Sequence, residues 1–355
     1  MSINLNNITE FDYLLPEELI ALEPASPRSA SRLLVYAENS IIDSKFNQIT
    51  QYLRPNDRLI FNDTRVLNGK LFGVRNRLTT SGSGISKIEI LLNKRISKNQ
   101  WTALCRPLKK LKVLDKIIIS GSLEAEVVSK VDGQCLLKFS KSGHELDVAI
   151  LKLGQLPLPP YIAKKRSYRD SDNTDYQSVF SKKIGAIASP TASLHFDKPL
   201  LKSLSQFGVS SSFITLHVGI GTFLPVKSED ISDHKMHMET GKISASTALE
   251  INRTRDIGGR IIAVGTTSLR LLETATTSSG IVNPYDGQTD IFIKPGYNFR
   301  CIDGLITNFH FPKSTLLMLI SAFIGNSERK RLYTHAVANN YRFFSYGDSC
   351  LLLPK

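Results

Sequence analysis

The sequence predicts an α/β protein in which a small antiparallel β-barrel is inserted into a barrel-like α/β core. Short β-rich runs follow one another between residues 70 and 139, separated by turn signals such as Gly121 and Asp132-Gly133, with no convincing helix among them. After that segment, apolar runs of strand length alternate with helical segments, which is typical of an α/β core. We therefore expect a discontinuous core around an insertion.

The first part of the core is assigned to residues 1–66, because this stretch contains one apolar strand, over residues 58–61, and ends where the β-rich runs start. The inserted domain covers residues 67–155, with strands predicted over residues 70–74, 87–92, 101–106, 116–119, 123–128 and 134–139. A helical stretch over residues 145–153 follows. The run Leu156-Pro157-Leu158-Pro159-Pro160 then predicts a stiff, extended linker.

The main part of the core covers residues 156–355 and repeats a strand-then-helix plan. A strand over residues 186–188 precedes a helix that extends to Leu204. A strand over residues 261–264 leads through Gly265 to a helix whose N-cap is Thr266, Thr267 or Ser268. A strand over residues 305–309 precedes an apolar helix with Ser314 as its N-cap.

The composition narrows the class of protein. Hydrophobic residues make up 41% of the 355, enough for a substantial core, and no apolar run reaches the length of a membrane span. The N-terminus lacks the basic and apolar regions of a signal peptide. The four cysteines are scattered without a CxxC spacing, which favours a reducing compartment and disfavours a cysteine metal site.

The net charge of +13 indicates either a soluble enzyme with many lysines or a protein that binds a polyanion. Basic clusters recur at residues 109–112, 164–166 and 329–331. Each alone is typical of a solvated face. Together they make nucleic acid a serious candidate partner, and we expect such binding to be strongly salt-dependent.

Polar side chains gather after the predicted strands, where ligands bind in α/β folds. The five segments concerned are residues 62–65, 189–195, 217–222, 265–268 and 307–310. Three helices are predicted to begin there, and their N-termini would offer backbone N–H groups to a carboxylate or phosphate. The segment Ser189-Pro190-Thr191-Ala192-Ser193-Leu194-His195 is expected to form one wall of a pocket, with Pro190 ending the strand and Thr191 or Ser193 capping the next helix or contacting a ligand.

Each of these signals is weak when taken alone. His195 could instead tie its helix to the core, and His217 could be structural. Gly219-x-Gly221 lacks the third glycine of a nucleotide-binding loop. Arg270 and Glu273 are three apart on a predicted helix and are expected to form an ion pair.

A zinc site is disfavoured. The segment Asp233-His234-Lys235-Met236-His237-Met238-Glu239 gathers potential ligands, but their spacing is not that of HExxH and no cysteine supports them. We therefore expect no metal.

Several motifs resemble those of the S-adenosylmethionine:tRNA ribosyltransferase-isomerase family of queuosine biosynthesis, nearly from end to end. They include FDYLLPEELIA, LIFNDTRVLNGKLFG, LPLPPYI, SPTASLHF, TLHVGIGTF, DHKMHME, IIAVGTTSLRLLE, IFIKPGY, LITNFHFPKSTLLML and YRFFSYGDSCLLL. The chain departs from the family pattern at Ser189 and Ser193, where Ala and Gly are usual, and at Asn68-Gly69-Lys70, where Pro-Ala-Arg is usual.

The resemblance implies the activity and the partners. The ribosyl portion of S-adenosylmethionine would be transferred to 7-aminomethyl-7-deazaguanine at the wobble position of tRNA, giving epoxyqueuosine with release of adenine and methionine. S-adenosylmethionine would be a consumed substrate, so that no separate cofactor is implied. The tRNA would carry a GUN anticodon, as the acceptors for Asp, Asn, His and Tyr do, and the enzyme would be a cytoplasmic monomer.

The implied chemistry begins with removal of a proton from the ribose carbon beside the sulfonium. His195 and His217 are the preferred bases, since both follow predicted strands in the pocket-forming segments. The carboxylate alternatives are Asp63, Glu239 and Glu273.

The other candidates bind substrate. The methionine carboxylate suits either Arg270 or the helix N-terminus at Thr266, Thr267 and Ser268. The target base would stack on an aromatic ring, for which the candidates are Phe196, Tyr297, Phe309 and Tyr346. Further binding candidates at the same segments are Thr191, Ser193, Gly219, Gly221, Asn308 and His310.

Two other classes of function stay open at this point. An S-adenosylmethionine-dependent RNA methyltransferase would need a glycine-rich loop followed by an acidic residue at the next strand end, and no such pair is evident. A non-catalytic RNA-binding protein would not need so many polar side chains at strand ends.

Overall fold

A computed structural model of the chain describes residues 6–79, 82–223 and 230–354. Its strands are β1 (Arg32–Ala37), β2 (Ser40–Lys45), β3 (Arg58–Asn62), β4 (Thr64–Val66), β5 (Lys70–Thr79), β6 (Gly82–Arg95), β7 (Gln100–Arg106), β8 (Lys116–Ser120), β9 (Leu123–Val131), β10 (Gln134–Phe139), β11 (Lys183–Ala186), β12 (Ser210–His217), β13 (Glu239–Ile243), β14 (Ile261–Val264), β15 (Tyr285–Thr289), β16 (Gly304–Asn308) and β17 (Ser349–Leu353).

The α-helices are shorter in total than the strands. They are α1 (Gly143–Leu153), α2 (Pro160–Lys165), α3 (Asp172–Asp175), α4 (Lys198–Phe207), α5 (Ala245–Asp256), α6 (Thr266–Ala275), α7 (Thr315–Ile324) and α8 (Asn326–Ala338). Ser314 caps α7 by accepting the Leu317 N–H at 3.4 Å, which confirms the predicted cap. None of the helices that the structure describes is both long enough and apolar enough to cross a membrane.

Contacts within the chain define two compact units. The core unit comprises Met1–Arg65, Pro159–Tyr168 and Thr174–Lys355, and the inserted unit comprises Val66–Leu158 and Arg169–Asn173. The core holds a nine-stranded mixed sheet in the order β15-β13-β12-β3-β14-β16-β17-β1-β2, and the inserted unit holds a closed barrel. This confirms the predicted fold class, an α/β core with an inserted antiparallel barrel.

The core sheet lies between two apolar layers because its buried strands alternate their side chains. In β3, Ile60 contributes to one apolar cluster while Leu59 and Phe61 contribute to the other. The first cluster contains residues of α5, α6, α7 and α8, and the second contains residues of α4 and of the 3₁₀ helix Phe46–Tyr52. Burial on both faces fixes the register of the central strands.

The inserted unit closes its six antiparallel strands in the order β10-β7-β6-β5-β8-β9. All six predicted strands are present, and β5, β6 and β9 are longer than predicted. Their inward side chains, among them Leu71, Ile90, Ala103 and Val127, pack with Leu146 and Ile150 of α1. A closed barrel leaves no unpaired edge strand among these six.

The joint after residue 186 differs from the prediction. The strand there is β11, which ends at Ala186 and pairs with β4 rather than joining the large sheet. Residues Thr191–His195 form a 3₁₀ helix, and α4 begins only after Asp197, whose Oδ1 accepts the Leu200 N–H at 3.0 Å. The expectation that Thr191 or Ser193 caps this helix, and that Pro190 ends the strand, is therefore wrong.

Candidate active site at the strand ends

Four adjacent strands of the core sheet, β12, β3, β14 and β16, run parallel, so their carboxyl ends lie at one edge. The 3₁₀ helix Thr191–His195 lies at the same edge and packs against β16. It also lies beside Gly265, where an added Cβ atom would be 3.6 Å from the Ala192 Cβ. The five polar segments singled out in the sequence thus meet in one region of the core unit.

His217, the last residue of β12, is oriented by Thr64. Its Nδ1 lies 2.8 Å from Thr64 Oγ1, which in turn lies 3.4 Å from the Lys183 carbonyl oxygen. If the hydroxyl donates to that carbonyl, Nδ1–H donates to the hydroxyl and Nε2 keeps its lone pair. Among the described residues, Nε2 has no hydrogen-bond partner. Burial lowers the pKa of His217, and the nearby Asp63 opposes the shift, so the ring is neutral at pH 7 and open at Nε2.

Asn62 was not among the predicted site residues, although it is the last residue of the buried strand β3 and belongs to the polar segment 62–65. Its Oδ1 accepts the backbone N–H groups of Thr64 and Leu216 at 3.1 and 3.0 Å, and its amide donates to the Leu216 carbonyl at 2.9 Å. Asn62 therefore ties the end of β3 to the end of β12. The adjacent Asp63 accepts the Thr215 hydroxyl at 2.6 Å.

His195 has hydrogen bonds at both ring nitrogens. Asn308 Nδ2 donates to Nε2 at 3.0 Å, and Nδ1–H donates to Ser31 Oγ at 2.8 Å. Asn308 Oδ1 accepts the Thr191 hydroxyl at 2.8 Å, which is consistent with this orientation of the amide. Burial lowers the pKa of His195 to about 3, and the Phe46 ring centroid lies 5.0 Å from the imidazole. The ring is neutral and has no free lone pair.

Glu239 and Arg270 form a buried ion pair beside the segment that follows β12. Glu239 Oε2 contacts Arg270 Nη1, while Oε1 accepts the Gly219 N–H at 2.9 Å. Arg270 Nε donates to the Ile291 carbonyl at 3.3 Å, and its Nη2 is buried without a partner among the described residues. The predicted Arg270–Glu273 pair is wrong, because the guanidinium reaches across to β13 instead.

Glu273 anchors a loop by accepting backbone N–H groups. Its carboxylate oxygens accept the N–H of Arg300 at 3.0 and 3.2 Å, and Oε1 accepts that of Cys301 at 3.1 Å. The Tyr297 hydroxyl donates to Oε2 at 3.1 Å, and burial together with Glu273 raises the pKa of Tyr297 to about 12. Glu273 and Tyr297 are thus placed together, with the carboxylate fully occupied.

Within the described part of the chain, no side chain caps the N-terminus of α6. Gly265 occupies the N-cap position with φ +90°, a backbone conformation that favours glycine, and none of Thr266, Thr267 or Ser268 supplies the predicted cap. Thr267 Oγ1 lies 3.4 Å from the Asn62 amide. Ser268 Oγ is buried with no partner among the described residues. The first turn of α6 therefore keeps backbone donors for an anion.

The 3₁₀ helix Thr191–His195 places its hydroxyls unequally. Thr191 bonds to Asn308, whereas Ser193 is fully buried and its Oγ has no partner among the described residues. The same is true of Ser189 Oγ. Neither serine hydroxyl therefore has its burial offset by a hydrogen bond within the described part of the chain.

Other predicted binding residues have separate surroundings. His310 Nε2 lies 2.9 Å from Thr307 Oγ1, and burial lowers the pKa of His310 to about 3. Gly221 lies against His237, whose Cδ2 would be 2.5 Å from an added Cβ. Tyr346 lines a narrow cleft with His195 and Arg28.

The predicted stacking aromatics are mostly core residues. Phe196 and Phe309 have no exposed surface, and Tyr346 exposes 2% of its surface. They cannot stack a base without a rearrangement of the core. Tyr297 is partly exposed. Phe311, which the sequence did not single out, is more accessible, since it is 45% exposed; it stacks on the buried Phe344 with ring centroids 3.6 Å apart.

The described residues contain no group of three or more His, Cys, Asp or Glu side chains that could hold a metal ion. His234 and His237 lie in the segment considered for zinc, and burial together with His237 lowers the pKa of His234. The arrangement at the strand ends therefore offers the open imidazole of His217, the buried Glu239–Arg270 ion pair and the uncapped terminus of α6.

Comparison with known proteins gives one consistent result. The model of a family described as Queuosine biosynthesis protein matches residues 8–352. A protein of Ruegeria sp. named S-adenosylmethionine:tRNA ribosyltransferase-isomerase is 50% identical over 345 residues, covering 97% of this chain and 99% of the relative. A protein of Parvibaculum lavamentivorans with the same name is 51% identical over 348 residues, covering 97% and 98%.

A solved structure is also similar. The crystal structure of S-adenosylmethionine tRNA ribosyltransferase from Thermotoga maritima is 34% identical, with a TM-score of 0.54, and the match covers 97% of this chain and all of that chain. The sequence and structure comparisons therefore agree over nearly the whole length.

Proposed function

Because the chain belongs to the Queuosine biosynthesis protein family, we propose that its strand-end site is the active centre of an S-adenosylmethionine:tRNA ribosyltransferase-isomerase. The protein is a transferase of queuosine biosynthesis that modifies tRNA. A methyltransferase or a non-catalytic RNA-binding protein is not favoured. Relatives that align with nearly the full length of this chain are named S-adenosylmethionine:tRNA ribosyltransferase-isomerase.

The proposed reaction moves the ribosyl portion of S-adenosylmethionine to the aminomethyl group of 7-aminomethyl-7-deazaguanine at the tRNA wobble position. Epoxyqueuosine forms, and adenine and methionine leave. S-adenosylmethionine is consumed as the donor, so the reaction as written needs no additional cofactor or metal.

The observation that carries the proposal is the open imidazole of His217 in the same strand-end region as the uncapped N-terminus of α6. Asn62 links them, since it binds the backbone of Leu216 and lies 3.4 Å from Thr267 Oγ1. One feature supplies a base and the other binds an anion. S-adenosylmethionine needs both, because it has an acidic C–H beside the sulfonium and a carboxylate at its methionine end.

We assign the role of base to His217. Its Nε2 has a free lone pair among the described contacts, and Thr64 fixes the ring through Nδ1 at 2.8 Å. A neutral imidazole accepts a proton at pH 7, and Asp63 nearby stabilises the resulting imidazolium. His195 is assigned a structural role, because both of its nitrogens are already bonded.

The methionine carboxylate is assigned to the first turn of α6. The backbone N–H groups there lack a side-chain cap, and Ser268 Oγ and Arg270 Nη2 are buried without partners among the described residues. Glu239 holds the guanidinium in place through its contact with Nη1. An anion that satisfied these donors would remove the cost of leaving them unpaired.

The tRNA partner is assigned a GUN anticodon, whose wobble base would be turned out of the loop and stacked on an aromatic ring. Tyr297 and Phe311 are two accessible candidates in the core unit. A cytoplasmic location and action as a monomer belong to the same proposal.

The proposal is tested by incubating the protein with S-adenosylmethionine and tRNA that carries 7-aminomethyl-7-deazaguanine, followed by nucleoside mass spectrometry and measurement of adenine. We expect epoxyqueuosine and adenine in equal amounts, and neither product with tRNA that carries guanine at that position. A methylated nucleoside without adenine would show that the proposed reaction is wrong.

A further inference from the structure

The inserted unit carries most of the chain's net positive charge. Residues 66–158 contain sixteen Lys and Arg against seven Asp and Glu, which gives +9 of the total +13. The proposed reaction does not use this charge, because the strand-end site consists of residues of the core unit. The concentration of charge on a small barrel indicates a polyanionic partner for this unit.

One outer face of the barrel contains a groove of about 590 Å³, within the range that holds small ligands or parts of larger ones. Its walls come from β5, β6, β8 and the end of β7. They include apolar Phe72, Val74 and Ile118 and charged Lys87, Glu89 and Arg106. Phe72 is 47% exposed, so part of its ring surface is available for contact.

The charged residues of the groove leave a net positive surface. Glu89 is paired with Lys70 at 3.1 Å, and the Lys70 ammonium lies 5.4 Å from the Phe72 ring centroid. Lys87 and Arg106 are exposed, and neither forms an ion pair within the described residues. An exposed aromatic ring flanked by free cations is the arrangement that binds unpaired nucleotides, with a base on the ring and phosphates at the cations.

We propose that this groove binds an unpaired stretch of tRNA, with one base stacked on Phe72 and neighbouring phosphates held by Lys87 and Arg106. The inference rests on the proposed function, which supplies RNA as the partner. A duplex RNA segment would use the cations but not the ring, because its bases are stacked on each other. A protein partner would account for the apolar side chains but not for the +9 charge of residues 66–158.

The stacking contact is tested with Phe72→Ala and Phe72→Trp in the full-length protein. Stacking of one base corresponds to roughly a 5- to 150-fold change in the Kd for tRNA, so Phe72→Ala weakens binding by that factor and Phe72→Trp restores it. The matched control is Val131→Ala, which truncates another exposed apolar side chain of the barrel, on β9, and leaves the Kd unchanged. Thermal unfolding of each variant confirms that the barrel is folded.

The charge contact is tested with Lys87→Glu and Arg106→Glu. Each removes one phosphate contact, so each lowers the slope of log Kd against log salt by roughly 0.7, the value for single strands. The control is Lys138→Glu, an exposed lysine on β10, which lies opposite β5 in the strand order of the barrel. We expect this control to weaken tRNA binding less than either groove variant.

The measurements separate failure of this inference from failure of the proposed function. If wild-type protein releases adenine with tRNA but Phe72→Ala binds tRNA as tightly as wild type, the groove does not stack a base and the inference is wrong. If Lys87→Glu and Arg106→Glu weakened tRNA binding but Phe72→Ala did not, the groove would bind the phosphates of duplex RNA. That result would also overturn the inference. If the wild type releases no adenine, the proposed function fails, and a 5- to 150-fold weaker binding of an unstructured oligoribonucleotide by Phe72→Ala would still support the groove.

Discussion

His195 and His217 occupy the same edge of the core sheet, but their surroundings are opposite. His195 is 4% exposed, and Asn308 and Ser31 bind its two nitrogens at 3.0 and 2.8 Å. His217 is only partly buried and has one described partner, Thr64, at 2.8 Å. Burial lowers the pKa of both rings, so both are neutral at pH 7. The free lone pair is what distinguishes them.

The comparison shows that position after a strand does not by itself make a histidine a base. A base must have an unoccupied nitrogen and room for the proton donor. A ring bonded on both sides contributes instead to the shape and stability of the site. The same residue type at the same edge can therefore serve two purposes, and mutation separates them by which measurement changes.

The largest effect is expected from His217→Ala. Loss of a general base lowers turnover by roughly 10²- to 10⁴-fold, while the free energy of unfolding changes little because the ring is partly exposed and has one partner. Adenine release at saturating S-adenosylmethionine and tRNA is the measurement. His144→Ala, which truncates an exposed histidine of α1, is the matched control with unchanged turnover. A loss of less than tenfold for His217→Ala would remove it from the chemistry.

His195→Ala is expected to do the reverse. It leaves buried polar groups of Asn308 and Ser31 without partners and opens a cavity beside Phe46, so the free energy of unfolding falls by about 2–4 kcal/mol. Turnover of the protein that remains folded stays close to that of the wild type. Urea unfolding and adenine release, measured on the same sample, check both statements. Unchanged stability with a hundredfold loss of turnover would show that His195, rather than His217, is the base.

The fold could be predicted from the sequence because its signals are local. Short β-rich runs separated by turn residues predicted the six barrel strands, and alternation of strand and helix predicted the α/β core. The joint at residues 186–197 was mispredicted because Asp197, not Thr191 or Ser193, caps α4. Several polar residues near a helix start are equivalent in sequence, and only tertiary contacts choose among them.

The site could be predicted only as a region. The five polar segments were identified because parallel strands end at one edge, but the contacts within them depend on distances that spacing does not contain. Arg270 pairs with Glu239, 31 positions away, rather than with Glu273 on its own helix. Asn62 gave no signal beyond its place in the polar segment at the end of β3, although it ties that strand to β12. Long-range hydrogen bonds of this kind have no periodicity to detect.

The pH dependence of stability sharpens the comparison further. Burial lowers the folded-state pKa of His195 to about 3, whereas an unfolded histidine has a pKa of about 6.5. Between these values the unfolded chain binds a proton that the folded chain does not, so stability falls as the pH is lowered from about 6.5 towards 3. The contribution of one histidine is at most about 1.4 kcal/mol per pH unit.

This contribution is isolated by comparing wild type with His195→Gln in urea at several pH values. The variant lacks the titrating group, so its destabilisation relative to wild type becomes smaller as the solution is acidified. His310, whose pKa burial also lowers to about 3, is present in both proteins and cancels. A difference that stayed constant from pH 7 to pH 4 would mean that His195 takes up its proton as readily in the folded protein as in the unfolded chain.

The smallest effects come from the hydroxyls that hold the two rings, and they test whether each ring is held for a different purpose. Thr64→Val removes the partner of His217 Nδ1, so the base loses its orientation and turnover falls by about tenfold, which corresponds to about 1.4 kcal/mol. The pH profile of kcat shifts together with the loss of turnover, and Thr64→Ser restores the turnover and the profile.

Ser31→Ala removes the partner of His195 Nδ1, so the free energy of unfolding falls by about 1 kcal/mol and the pH profile of kcat is unchanged. If Thr64→Val and Ser31→Ala both changed only stability, the hydroxyl of Thr64 would be structural, as that of Ser31 is. His217 would then not be the oriented base.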